Sequence, residues 1–137
     1  MERGVATKAG GATTVSAQVN KVPARVRPIV RAAIKAVKDA APRATEIPYA
    51  MEQPRSSRMM WTLVRYAVDG ATVVGVGTFA DHSTLFFYRG RELDDGSGLL
   101  QGGGKDSRFV TLRSASDAER PEVKRLIRSA FKVGGPR

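Results

Sequence analysis

The chain contains no cysteine, and its 137 residues include a single histidine, His82. The first absence excludes a disulfide framework, a thiol nucleophile, iron–sulfur ligation and any zinc site built on sulfur. The second excludes a multi-histidine metal site within one chain. Acid is scarce too: 13 Asp and Glu stand against 23 Lys and Arg, a formal net charge of +10. Long apolar runs are missing, and nothing approaches the roughly 18 residues of a membrane span. No apolar core of about 7–15 residues follows Met1, so no secretory signal is expected and the expected compartment is the cytoplasm.

What remains is the composition of a folded domain. Hydrophobic residues make up 42% and charged residues 26%, which argues against wholesale disorder. The length suits one domain of about 100–200 residues with one core. The excess of basic residues concentrates anions, with nucleic acid the usual partner. The same excess equally serves solubility through like-charge repulsion.

Met1 to about Thr14 has no apolar periodicity and is expected to be a disordered tail, leaving a domain over 15–133. Val15, Val19 and Val22 recur at helical spacing before Pro23. In the next helix Ile29, Val30, Ala33, Ile34 and Val37 share one face, and Arg31, Lys35 and Lys38 the other. That helix starts near Pro28 or is kinked there, and Ala41-Pro42 ends it. From Trp61 to Leu112 the texture is that of strands. Trp61–Tyr66 and Thr72–Phe79 flank the hairpin signal Asp69-Gly70. Gly75 and Gly77 hint at a bulge or close packing. Asp81-His82 marks a turn before a strand over Ser83–Tyr88, and a glycine-containing loop from Gly90 to Lys105 precedes the strand Arg108–Leu112. A last helix begins at Ser116 or Asp117, with Glu119 at capping-box spacing and Pro121 in its first turn. It buries Val123, Leu126, Ile127, Ala130 and Phe131, turns Lys124, Arg125, Arg128 and Lys132 outward, and ends at Gly134-Gly135. This order predicts an α+β fold: a two-layer antiparallel meander flanked by N-terminal and C-terminal helices on one face.

Five groups are candidates for chemistry. Gly102, Gly104, Lys105 and Arg108 could hold an anion through exposed N–H groups and two cations. The stretch is not a P-loop, because Leu99 stands for its first glycine and Asp106 for its Ser or Thr. Glu92, Asp94 and Asp95 are the densest acidic group; Asp94 and Asp95 are the metal candidates. Arg89 and Arg91 compete for those carboxylates, and aspartates before Gly96 also suit a turn. His82 beside Asp81 resembles a base with its orienting acid, although neighbours in sequence seldom reach that geometry. Finally, the outward helix faces could track a phosphate backbone if they lay side by side. Trp61, Tyr66, Phe79, Phe86, Phe87 and Phe109 sit on strands, at least half facing the core, and the rest could form a stacking platform. No nucleophile stands in a catalytic context, which points to a binding module.

The stretch Gly90-Arg91-Glu92-Leu93-Asp94-Asp95-Gly96-Ser97-Gly98-Leu99-Leu100-Gln101-Gly102-Gly103-Gly104-Lys105-Asp106-Ser107-Arg108 resembles the signature of the YdhG-like family, a domain-of-unknown-function group. The matching positions are Gly90, Leu93, Asp95, Leu99, Leu100, Gly102, Gly104, Lys105 and Arg108, with Asp117 as the later acid. Upstream, Ala40-Ala41-Pro42 and Glu46-Ile47-Pro48-Tyr49 are compatible, so the resemblance spans roughly Val15 to Phe131. It implies a frataxin-like fold and, from some members, iron-chaperone activity, with iron as the cargo and an iron–sulfur or haem assembly partner.

Overall fold

The computed structural model describes residues 14–49, 60–93 and 96–134. Helix α1 (Val15–Lys21) opens it. Thr14, expected at the end of the tail, is its N-cap, with Oγ1 accepting from the Ala17 N–H at 3.0 Å. Arg27 Nη2 donates to the Val22 carbonyl at 2.8 Å and fixes the turn into α2 (Arg27–Ala40). Pro28 falls in the first turn of α2, where its missing N–H costs no intrahelical bond, so the helix starts there and the kinked alternative is not realised.

The sheet is an antiparallel meander in the order β1 (Thr45–Pro48), β2 (Trp61–Val68), β3 (Ala71–Thr78), β4 (Ser83–Phe87) and β5 (Arg108–Leu112). Strand β1 was not expected from the pattern; its four residues are too few to show a period, and its pairing with β2 defines it. Asp69 and Gly70 both have positive φ, 50° and 83°, the primed turn that matches strand twist. A 3-10 turn, Gly90–Glu92, follows β4. Gln101 bridges to Phe109 and covers part of the outer edge of β5.

Register separates the two faces. Val64, Val76, Leu85 and Val110 pair in succession across four strands, and all are buried. The two register shifts leave Leu63 in β2 and Val73 in β3 as extra residues, and both enter the core. Thus the bulge in β3 falls at Val73, whereas Gly75 and Gly77 answer to close packing. Helices α2 and α4 lie on the face of Val64 and Val76, as the sequence predicted, and they pack on each other.

The C-terminal helical region differs from expectation in its start. Ser114 caps α3 (Ala115–Ala118), with Asp117 as the reciprocal acid; Asp117 Oδ2 accepts from the N–H groups of Arg113 and Ser114. A separate helix, α4 (Pro121–Val133), begins at Pro121. The proline cannot sit deeper than the first turn, so it divides what reads as one helix into two. Gly134 ends α4 with φ −78°, an ordinary value. Glycine is required there because a Cβ would lie 2.8 Å from Val73 Cγ2.

Candidate functional site

The strand aromatics divide as pleat direction requires. Trp61, Tyr66 and Phe87 are buried beneath the helices, with exposures of 0%, 1% and 0%. Phe79, Phe86 and Phe109 take the opposite face, together with Tyr49 and Tyr88, and all five are partly exposed. Among the described residues no helix packs on that face.

The open face has two clusters joined by a phenylalanine pair. At one side the Arg65 guanidinium lies 4.4 Å from the Tyr49 ring centroid and 5.5 Å from that of Tyr88, within cation–π range. Burial raises the Tyr88 phenol above its ordinary value, and Arg65 pulls it back. At the other side Phe79 and His82 stack at 4.4 Å between centroids, 16° from parallel. Their turn is closed by the Phe79 N–H donating to the His82 carbonyl at 2.7 Å. Phe86 and Phe109 are cross-strand partners between the clusters. The glycines of β3 make room for the rings: a Cβ at Gly75 would be 3.0 Å from the Tyr88 hydroxyl, and one at Gly77 3.0 Å from Phe86 Cε2.

The Gly-rich loop borders this face. Gly102, at φ 112°, lies under the Phe109 ring, and Gly103, Gly104 and Lys105 are exposed. The Arg108 guanidinium turns back on its own loop, where Nη1 donates to the carbonyls of Gly104 and Ser107 at 2.6 and 2.7 Å and staples the backbone. Lys105 is therefore the exposed cation of the four anion candidates.

Of the acidic group, Glu92 accepts from Arg89 Nε and Nη2 at 2.7 Å each, while Arg89 Nη1 caps the Val133 carbonyl of α4 at 2.7 Å. The competition expected from the arginines is realised by Arg89. Asp94 and Asp95 lie outside the described residues, among which no group of three or more metal-ligating side chains occurs.

Asp81 and His82 do meet, with Nδ1 and Oδ1 2.6 Å apart, contrary to the expectation for sequence neighbours. That hydrogen bond holds the Asp81 carboxyl below the usual carboxylate range. Lys35 and Lys124 line one cleft of about 300 Å³ between α2 and α4, so the basic helix faces do lie side by side. Asp39 and Glu119 line the same cleft, and Asp39 pairs with Lys35 at 2.7 Å, so its charge is mixed.

No family model, curated protein or solved structure matches the chain. No described helix is long and apolar enough to cross a membrane.

Proposed function

We propose that this chain is a non-catalytic binding module for single-stranded nucleic acid, with unpaired bases stacking on the open sheet face. The observation that carries this reading is the set of partly exposed rings of Tyr49, Phe79, Phe86, Tyr88 and Phe109 on one sheet face, with Arg65 between two of them, in a chain of net charge +10. Aromatic stacking contributes about 1–3 kcal/mol per base and tolerates any sequence, because every base has a π-face. A guanidinium among tyrosines adds attraction for both base and phosphate. Lys105, exposed in the loop that borders this face, Arg65 on the face and exposed Arg113 at the Asp81 end supply sequence-independent phosphate contacts.

The test is fluorescence anisotropy with a labelled twelve-residue single strand and its duplex, at two or more salt concentrations. Tighter binding of the single strand is expected, with a log–log salt slope of about −2 for about three phosphate contacts. Absence of binding, or a duplex bound as tightly as the single strand, overturns it. The Gly90–Arg108 stretch and the helix–sheet–helix order also support placing the domain in the YdhG-like group. The iron-chaperone activity that the resemblance implies would rest on Asp94 and Asp95, and anaerobic calorimetry with ferrous iron on Asp95→Asn tests it.

A further inference from the structure

The open face is not a uniform platform. Thr84 and Thr111 are cross-strand partners, one step along the pleat from the Phe86–Phe109 pair. One step further lie the stacked rings of Phe79 and His82. A row of small side chains is thus enclosed between two aromatic rows, about 13 Å apart for four residues of strand. Gly77, opposite Thr84 on β3, extends the low row where any Cβ would meet the Phe86 ring. The half-open pit is about 290 Å³ and is lined by Phe79, His82, Thr84, Phe86, Phe109 and Thr111. Ligand clefts span about 300–1,000 Å³, so this one falls just below the range and has room for one ring system.

Its polar groups are few and placed at the sides. Thr111 Oγ1 donates to Gln101 Oε1 at 3.0 Å, which fixes a hydroxyl and an amide on the β5 side. His82 Nδ1 is engaged by Asp81, which orients the imidazole at the opposite side. Apolar walls with a small number of oriented polar groups are what a planar heteroaromatic ring requires. Charge decides the occupant. At the His82 end the ionised Asp81 carboxylate is held by His82 and offset by the exposed Arg113, whose charge acts on it. In a chain of net charge +10 this favours a ring attached to an anionic backbone over a neutral ring or a second copy of the same cationic chain.

We propose, resting on the nucleic-acid reading above, that the pit between the Phe86–Phe109 pair and the Phe79–His82 stack is a subsite for one flipped-out nucleobase. The base lies over Thr84 and Thr111, its edge toward His82 and Gln101, and its phosphate toward Arg113.

The experiment uses the full chain, a fluorescein-labelled deoxythymidine octamer, and Thr111→Phe, which fills the pit with a strand-compatible side chain. The variant is expected to bind the octamer at least tenfold more weakly. Adenosine 5′-monophosphate should displace the octamer from the unaltered protein, and ribose 5-phosphate at equal concentration should not. The competition pair needs no substitution, so it decides the matter if Thr111→Phe fails to fold. Octamer binding that is undiminished in folded Thr111→Phe, or competition by ribose 5-phosphate equal to that of the nucleotide, overturns the base subsite while the broader reading stands. No octamer binding by the unaltered protein overturns both, as does a concentration-dependent dimer that excludes the octamer.

Discussion

Tyr66 has 1% of its surface exposed, and its hydroxyl donates to Glu46 Oε2 at 2.8 Å, tying β2 to the edge strand β1. Burial first, and the Glu46 carboxylate second, raise this phenol above its ordinary value of 10.0. The sign follows from proton counting: above pH 10 the unfolded chain loses the phenolic proton while the folded chain keeps it. Stability is then lost as pH rises, by up to about 1.4 kcal/mol per unit, and the contribution is fully present below the unfolded value. Denaturant unfolding between about pH 9 and 11 should therefore show a steeper alkaline loss in the unaltered protein than in Tyr66→Phe. Equal slopes would mean that the phenol ionises alike in both states. The residue scale is also where the sequence was least legible. Trp61 and Tyr66 are recognisable as strand aromatics, but at five residues apart a regular pleat would put them on opposite faces, and both are buried because Leu63 shifts the register between them; Val73 does the same in β3. Bulges leave no period-2 signature, so the pleat on either side of them cannot be phased from sequence.

Elements whose apolar period runs over several turns were legible: α2 and α4 bury the stripes that their spacing dictates, except that Ile34 and Phe131 at the stripe margins are only half-buried, and the Asp69-Gly70 turn joins the strands it punctuates. Short elements were not, since β1 and α3 have four residues each and exist through pairing and capping. Of the candidate site, the Gly-rich stretch was legible as a loop, but the engagement of Arg108 with nearby carbonyls depends on a loop path that sequence does not encode locally. Helix α1 carries an internal inconsistency. Gln18 is 0% exposed, and neither its Nε2 nor its Oε1 has a hydrogen-bond partner among the described residues. A buried polar group left unsatisfied costs about 1–3 kcal/mol, whereas an apolar group of similar shape does not. Gln18→Leu should accordingly stabilise the docking of α1 and raise the free energy of unfolding by about 1–3 kcal/mol. A loss of stability in urea titrations would show that the amide has a function there.

At the scale of the whole molecule, charge and shape are arranged on different sides. The outward faces of α2 and α4 carry Arg31, Lys35, Lys38, Lys124, Arg125, Arg128 and Lys132, all exposed, while the other side of the sheet is mainly aromatic. Exposed cations on one layer repel each other at low ionic strength, within a screening length of about 10 Å at 0.1 M salt. Raising potassium chloride from about 20 to about 300 mM should increase the melting temperature by a few degrees; a flat or falling trend would show that pairs such as Lys35–Asp39 already neutralise the layer. The two-sided arrangement has an optical consequence. Trp61, the one tryptophan, is sealed in the core with 0% exposure, and Tyr49 and Tyr88 stand on the open face. Indole emission thus reports unfolding and is shielded from whatever settles on the sheet, while two of the three tyrosines, Tyr49 and Tyr88, absorb and emit at the surface itself. In one unlabelled sample, a change in tyrosine emission with the indole emission unchanged marks occupancy of the face, and a shift of the indole emission marks loss of structure.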